Sequence, residues 1–312
     1  MSLKTFQFFV SIGLFACVCG LVIFVRNDTQ ADTRVQVFVA NLTPISPDII
    51  TPIESPKIPN VPLDSEGGFL AVVHSEQNTL EVLYEKNSQK ILPIASISKL
   101  MTAYSVIKNN SLDDIFTITT RAVEGPWPAR KFYVGDTYTV KELLEAMLIE
   151  SNNDAARVLA EISGEQRTFV RSMNIAAAGL ALDATSFYTS DGTETAGPSS
   201  KLVNVSTAED VARMIVQMYR KAPELLRVTT LPYAQVEDIT STHVFTAQST
   251  NKLLPFFKNG WTLLGGKTGT TSIDARHLVL LFKDPKDVMF VAVILHSRDS
   301  FADMEKLLEL VK

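Results

Sequence analysis

The feature that most constrains this chain is a cluster of prolines that separates two stretches of very different composition. Six prolines fall within the nineteen residues from Pro44 to Pro62. Proline fixes φ and lacks a backbone donor, so this stretch is extended and cannot build a core. We predict a semi-rigid stalk over residues 27–66 and a folded domain over residues 67–312. A disordered spacer without a mechanical purpose would have the same sequence.

An apolar run precedes the prolines. It extends from Phe6 to Val25, with Lys4 before it and Arg26 after it. Twenty helical residues rise roughly 30 Å, which is enough to cross the hydrocarbon core of a bilayer. We predict a single-pass transmembrane anchor over residues 1–26. The alternative is a cleaved signal peptide, which would have a shorter apolar region and a small-residue cleavage site.

Composition excludes several classes of protein. The 312 residues are 46% hydrophobic and carry a net charge of −5, so they can form a large core and lack the basic excess of a nucleic-acid-binding protein. The two cysteines, Cys17 and Cys19, both lie in the apolar run. The folded domain therefore has no disulfide and no four-cysteine zinc site. None of the four histidines has a partner at ligand spacing, so no metal is implied.

Hydrophobic periodicity predicts strands at both ends of the domain and helices between them. Residues 69–74 and 79–85 form one predicted hairpin, and residues 278–282 and 288–295 form another. Helical spacing is found over residues 96–108, 140–149, 155–162, 168–180, 207–219 and 301–311. Ser206 is the predicted N-cap of the fifth helix. The pattern predicts an α+β fold with a mainly antiparallel sheet flanked by helices.

A Ser-x-x-Lys motif opens the first predicted helix at Ser96 and Lys99. The two side chains lie one turn apart on one face, where a neutral lysine can take the serine proton. Activity near pH 7 requires the pKa of Lys99 to fall by roughly three units, or about 4 kcal/mol. Burial and a nearby cation lower a lysine pKa, and Lys267 is a candidate cation. The same motif also starts at Ser105 and Ser249, and in isolation it is usually an N-cap beside a solvated lysine.

Two further motifs follow along the chain. Ser151-Asn152-Asn153 interrupts two helices, where polar side chains can project into a cleft, although a plain capping turn has the same composition. Lys267-Thr268-Gly269 lies on a predicted strand, where lysine and hydroxyl groups suit an anion such as a carboxylate. The alternative is a glycine bulge beside a surface lysine. In a phosphate-binding loop the first glycine stands six residues before the lysine, and Trp261 occupies that position here, so this is not such a loop.

These motifs occur in the order found in penicillin-binding proteins. The segments 94–103 and 150–156 resemble the low-molecular-mass D-alanyl-D-alanine carboxypeptidases, as do residues 187–192, 250–254 and 265–270. The resemblance covers residues 67–312 and implies a β-lactamase/transpeptidase-like fold with an inserted helical subdomain.

The resemblance also implies roles for individual residues. Ser96 would be acylated, Lys99 would be the base, and Ser151 would assist proton transfer. Substrate binding would fall to six residues, Asn153, Lys267, Thr268, Gly269, Thr270 and Arg298. The backbone N–H groups of Ser96 and Thr270 would hold the oxyanion.

The sequence departs from that family in the turn after the Lys-Thr-Gly motif. Asp274-Ala275-Arg276 stands where the family usually has an Ala-Gly turn, which leaves the geometry of this turn open.

We therefore expect a membrane-anchored serine D,D-carboxypeptidase with its catalytic domain on the extracytoplasmic side. It would remove terminal D-Ala from peptidoglycan stem peptides through an acyl-enzyme, and β-lactams would inhibit it covalently. No cofactor is implied. The alternatives are a D,D-endopeptidase or transpeptidase on the same site, a β-lactamase, and a catalytically inactive wall-binding module. We rank the β-lactamase lower because no convincing deacylation glutamate follows the second motif.

Overall fold

The computed structural model describes residues 61–123, 131–162, 164–197, 200–254 and 260–311. The predicted anchor and nearly all of the predicted stalk lie outside these ranges. Among the described residues, no helix combines the length and apolar character needed to traverse a bilayer.

The described residues form the following strands and helices. The strands are β1 (Gly67–His74), β2 (Thr79–Lys86), β3 (Leu92–Pro93), β4 (Ile115–Thr117), β5 (Thr137–Thr139), β6 (Thr195–Ala196), β7 (Lys201–Leu202), β8 (Val205–Ser206), β9 (Tyr233–Glu237), β10 (Val244–Gln248), β11 (Thr262–Thr270), β12 (Arg276–Lys283) and β13 (Met289–Ser297). The α-helices are α1 (Lys99–Ile107), α2 (Val140–Ile149), α3 (Asn153–Glu161), α4 (Gln166–Gly179), α5 (Ala208–Lys221), α6 (Pro223–Val228) and α7 (Ser300–Leu308). Two 3₁₀ turns cover Ala95–Ser98 and Arg121–Val123.

A five-stranded antiparallel sheet organises the domain in the order β11-β12-β13-β1-β2. Strands from the two ends of the domain meet at its centre, where β1 pairs with β13. Because side chains alternate along a strand, the sheet has two apolar faces. Val291 and Val293 face the larger core with α1 to α6, whereas Ala292 and Ile294 face the smaller core with α7. The predicted α+β fold and both predicted hairpins are confirmed.

The predicted helices are also present, with shifted ends. The nucleophile segment begins as a 3₁₀ turn before α1, and α5 is capped by Thr207. The prediction that Ser206 caps α5 is wrong. The Thr207 hydroxyl accepts the N–H of Asp210, whereas the Ser206 hydroxyl contacts Thr185. Sequence periodicity missed α6 and the β9–β10 hairpin.

The last residues of the predicted stalk contact the folded domain. Leu63 is buried in the smaller core, and the Asp303 carboxylate accepts the backbone N–H groups of Asp64 and Ser65. These contacts fix residues 61–66 against α7.

Candidate active site

Ser96 lies on the 3₁₀ turn between the central sheet and α1, and close backbone packing holds this turn from two sides. On one side is Gly192, whose φ is 83°. A Cβ atom on Gly192 would lie 2.2 Å from the Ala95 carbonyl oxygen. On the other side is Gly269 of β11, where a Cβ atom would lie 3.0 Å from the Ile94 carbonyl oxygen. A side chain at Gly192 would overlap the Ala95 carbonyl, and one at Gly269 would make an unusually tight contact, so the absence of a Cβ atom at both positions lets the serine turn pack this closely.

Lys99 lies at the start of α1 with its side chain completely buried. Its Nζ atom lies 2.7 Å from the Ser96 Oγ atom, 2.7 Å from the Asn153 Oδ1 atom and 2.6 Å from the Asp191 carbonyl oxygen. The two latter atoms only accept hydrogen bonds. A neutral amine has two N–H groups and one lone pair, so its lone pair is left for the Ser96 hydroxyl. This arrangement suits proton transfer from Ser96 to Lys99.

The surroundings of Lys99 lower its pKa enough for the uncharged amine to be populated. Burial lowers the pKa of Lys99 to about 8; the Asp191 carboxylate raises it and the Arg157 guanidinium lowers it. A group with this pKa is uncharged for a useful fraction of the time near neutral pH.

Ser151 lies between α2 and α3 with a φ of 65°, a conformation that is uncommon for a residue other than glycine. The Asn152 side chain caps α3 by accepting the N–H of Ala155. The Lys267 Nζ atom lies 2.9 Å from the Ser151 Oγ atom and 3.0 Å from the Thr268 carbonyl oxygen. The second motif is therefore both a capping turn and a source of groups facing the nucleophile.

Lys267 is also buried, and its pKa falls well below the usual value because of burial and the nearby Lys99 amine. Two buried amines this close cannot both carry a charge cheaply. The sequence indicates Lys267 as a candidate for the cation that lowers the pKa of Lys99. The cation that does so is Arg157, because burial already disfavours the charged form of Lys267.

Two adjoining cavities open beside these groups, and Ser96, Ser151 and Thr270 line both. The larger cavity has a volume of about 750 Å³, and Asn153 and Gly192 contribute to its wall. The smaller cavity has a volume of about 350 Å³. Its wall includes Thr250, Lys252, Thr268, Gly269 and Arg276. The nucleophile therefore has space for a ligand on both sides.

The structure brings together eight of the nine residues predicted for the site. Arg298 is the exception, because its guanidinium is 91% exposed and pairs with Asp64 at 3.1 Å. Neither of the two cavities beside Ser96 is lined by Arg298. The arginine that does line the smaller cavity is Arg276, at the start of β12.

Sequence reasoning gave no role to Arg276, Thr250, Asp191 or Arg157. Thr250 and Thr268 hydroxyls lie 2.5 Å apart in the smaller cavity. The segments that contain Thr250 and Asp191 resemble the family, and this was the available signal for them.

The turn before Arg276 takes its conformation from Asp274, whose φ is 59°. Aspartate tolerates this conformation better than most residues, so the turn forms without the usual glycine.

The Peptidase_S11 family, described as D-alanyl-D-alanine carboxypeptidase, matches residues 68–298. The chain belongs to the peptidase S11 family. Members of this family are serine hydrolases that act on D-Ala-D-Ala peptides. The family assignment agrees with the resemblance of the sequence motifs and with the arrangement of Ser96, Lys99 and Ser151.

Individual S11 relatives include both kinds of D,D-peptidase. A D-alanyl-D-alanine endopeptidase of Pseudomonas aeruginosa is 31% identical over 71% of this chain and 69% of its own length. A D-alanyl-D-alanine carboxypeptidase of Bacillus subtilis is 30% identical over 70% of this chain, which spans 55% of that relative's length.

Solved structures of penicillin-binding proteins share the fold of this S11 member. Penicillin-binding protein D2 of Listeria monocytogenes, in its cefotaxime-bound form, is 28% identical with a TM-score of 0.68, over 81% of this chain and 98% of that one. A D-alanyl-D-alanine carboxypeptidase of Mycobacterium tuberculosis is 22% identical with a TM-score of 0.70, over 81% and 92% of the two chains. The predicted β-lactamase/transpeptidase-like fold is confirmed.

Proposed function

We propose that this chain is a serine D,D-carboxypeptidase that removes the terminal D-alanine from peptidoglycan stem peptides. The observation that carries the proposal is the contact of the Ser96 hydroxyl with the buried Lys99 amine, at 2.7 Å. The acyl-enzyme would form on Ser96. This contact also speaks against a catalytically inactive wall-binding module, which has no need of a buried base.

In the acylation step, the Ser96 oxygen attacks the carbonyl carbon of the penultimate D-alanine. The hydroxyl proton passes to the Lys99 lone pair, while Asn153 and the Asp191 carbonyl keep the other two amine positions occupied. Backbone N–H groups of Ser96 and Thr270 would hold the developing oxyanion.

Collapse of the tetrahedral intermediate breaks the peptide C–N bond and leaves the acyl group on Ser96. The departing D-alanine nitrogen needs a proton. It receives the proton that Lys99 took from Ser96, which leaves the Lys99 amine neutral again. The Ser151 hydroxyl, in contact with the Lys267 amine at 2.9 Å, is placed to relay this proton. Water then attacks the ester with Lys99 again as the base, which releases the shortened stem peptide and restores the serine.

The smaller cavity supports a substrate with a free terminal carboxylate. Two cationic side chains, Lys252 and Arg276, line its wall together with the hydroxyls of Thr250, Thr268 and Thr270. Asp274 also lines the wall, and its Oδ2 atom lies 3.5 Å from the Arg276 Nη2 atom, so one carboxylate faces the two cations. Cations and hydroxyl donors together are suited to a carboxylate. A carboxypeptidase substrate presents this group one residue beyond the scissile bond.

The second candidate is a D,D-endopeptidase that cleaves cross-linked stem peptides. The endopeptidase activity named for the Pseudomonas aeruginosa relative favours this alternative. The larger cavity, at about 750 Å³, also offers room beyond one stem peptide residue.

Product analysis with two substrates separates these candidates. The purified chain is incubated with a synthetic pentapeptide stem and with a cross-linked peptide dimer, and the products are identified by chromatography and mass spectrometry. We expect free D-alanine from the pentapeptide. Cleavage of the dimer alone would replace the carboxypeptidase with an endopeptidase, and no cleavage of either peptide would overturn both.

We also propose that β-lactams acylate Ser96, as the cefotaxime-bound and ampicillin-bound forms of the Listeria relative suggest. A long-lived adduct is expected; rapid turnover would instead indicate a β-lactamase.

For location, we propose that residues 1–26 anchor the chain in the cell membrane with its catalytic domain outside the cytoplasm, based on the apolar run. Protease accessibility in intact spheroplasts tests this topology, because protection of the domain would contradict it.

A further inference from the structure

A charged pair outside the three motifs lies behind the Lys99 amine. Arg157 is on α3, one turn after Asn153, and Asp191 is in the loop that precedes Gly192. The Arg157 Nε and Nη2 atoms each lie 2.8 Å from the Asp191 Oδ2 atom. The Asp191 side chain is 2% exposed and the Arg157 side chain is 17% exposed. The pair is therefore largely removed from water.

Asp191 contacts the active site through its backbone and brings a charge with it. Its carbonyl oxygen accepts a hydrogen bond from the Lys99 amine at 2.6 Å. Its carboxylate accepts from the Thr193 backbone N–H at 2.9 Å and the Thr193 hydroxyl at 2.7 Å. The residue that orients the amine thus also places a buried negative charge beside it.

An unopposed carboxylate at this position would work against the proposed chemistry. It favours the charged ammonium form of Lys99, which has no lone pair and cannot accept the Ser96 proton. Arg157 places a positive charge directly on that carboxylate. The two charges then oppose each other at the amine, and burial, the largest influence on the Lys99 pKa, is left to favour the neutral form.

We propose that Arg157 is a positioning residue of the active site, which neutralises Asp191 and thereby keeps Lys99 able to accept the Ser96 proton. This inference rests on the proposed function of Lys99 as the base. It assigns a role in the reaction to a residue outside the three sequence motifs.

The direction of each charge effect agrees with this proposal. Burial lowers the pKa of Lys99 to about 8, Asp191 raises it and Arg157 lowers it. Burial favours the protonated form of Asp191, but the charges of Lys99 and Arg157 together with the hydrogen bonds from Thr193 outweigh this and its pKa is lowered, so the carboxylate stays charged. The other charged groups facing this cluster are Lys267 from β11 and Asp154, whose Oδ1 atom lies 3.4 Å from the Arg157 Nη1 atom.

Three variants test the proposal as a cycle: Arg157→Met, Asp191→Asn, and the double variant. The rate of acylation by a fluorescent penicillin is measured against pH in the full-length chain. We expect Arg157→Met to move the midpoint of the pH profile upward by about one unit, because loss of a nearby positive charge favours the charged form of Lys99. Asp191→Asn should move it downward. The double variant should return to within a few tenths of a unit of the unmodified chain, and Arg157→Lys should largely preserve the profile.

The midpoint of the pH profile distinguishes a charge effect of Arg157 on Lys99 from a purely structural role. A lower rate with an unmoved midpoint in Arg157→Met would mean that Arg157 is only structural and would overturn the proposal. If Arg157→Met does not fold, the double variant is compared with Asp191→Asn, and its midpoint must be higher by about one unit.

A second readout separates this inference from the proposed function. NMR titration of the Lys99 side chain, in protein labelled at lysine and assigned with Lys99→Ala, follows the amine without any reaction. If the unmodified chain is not acylated at all, the proposed function fails. The inference fails separately if the Lys99 titration midpoint is the same in Asp191→Asn and in the double variant.

Discussion

The side-chain amine of Lys99 lies 2.7 Å from the Ser96 hydroxyl. Lys99 is the first residue of α1 and is completely buried. Sequence spacing places these side chains one turn apart, but the buried contact is a property of the folded domain.

Ser96→Ala should abolish covalent labelling by penicillin while the fold is retained, because the Ser96 hydroxyl is the nucleophile that contacts the Lys99 amine, at 2.7 Å. The measurement is intact-protein mass spectrometry after brief exposure to a fluorescent penicillin. Ser105→Ala and Ser249→Ala are matched controls from the other two Ser-x-x-Lys motifs, and both should still be labelled. An adduct of unchanged yield on Ser96→Ala would refute the assignment of the nucleophile.

The acylation rate should depend on pH through Lys99. Its pKa is lowered to about 8 and the neutral amine is the reactive form. The rate should therefore rise roughly tenfold per pH unit below the midpoint and level off above it. Stopped-flow or quenched labelling across this range measures the profile, and Lys99→Ala should slow acylation by several orders of magnitude at neutral pH. A flat profile between about pH 6 and pH 9 is incompatible with this base.

Arg276→Gln should raise the KM for a pentapeptide stem by roughly tenfold, the effect of losing about 1.4 kcal/mol of contact with the substrate carboxylate. Steady-state release of D-alanine measures this change. Arg298→Gln should have the smaller effect, because Arg298 pairs with Asp64 and lies outside both cavities. Arg171→Gln, at an exposed position on α4, is the control. Equal KM values for Arg276→Gln and the control would remove Arg276 from the binding site.

Gly192→Ala should destabilise the domain by more than about 1 kcal/mol, the cost of a left-handed conformation in a residue other than glycine. Its φ is 83°, and the added Cβ atom would also meet the Ala95 carbonyl at 2.2 Å. The displaced turn should slow acylation at Ser96. Urea unfolding gives the stability change. Gly179→Ala is the matched control, because its Cβ atom would enter open space at the end of α4 and should be neutral or stabilising.

His277 should make the domain sensitive to acid. It is completely buried on β12, and its Nδ1 atom accepts the backbone N–H of His296 at 3.1 Å. Burial, with a smaller contribution from His296, lowers the pKa of His277 to about 3. Because the unfolded chain binds this proton near pH 6.5, stability is lost as the pH falls below that value, by about 2 kcal/mol between pH 8 and pH 5.

His277→Asn keeps an acceptor for the His296 N–H but does not titrate, so its stability should fall less over the same range. Urea unfolding at several pH values compares the two proteins. The prediction fails if both lose the same free energy of unfolding between pH 8 and pH 5.

Local sequence patterns predicted much of the fold correctly because they depend on neighbouring residues. The β1–β2 and β12–β13 hairpins follow from strand periodicity and polar turns, and the long helices follow from helical spacing. Thr207 in place of Ser206 as the cap of α5 shows the limit, since both are suitable capping residues. The short helix α6 and the β9–β10 hairpin were missed because six residues in the helix and five in each strand are too few to display a clear period.

The three motifs, their order, and the helix or strand on which most of them lie could be predicted from the sequence, because spacing along one element fixes which side chains share a face. Only the tertiary structure decided that Arg276 and not Arg298 lines the smaller cavity, and that Arg157 pairs with Asp191 behind Lys99. These relationships join residues far apart in the chain. They depend on how the helices pack on the sheet, and the depth of burial that this packing creates sets the charge of Lys99.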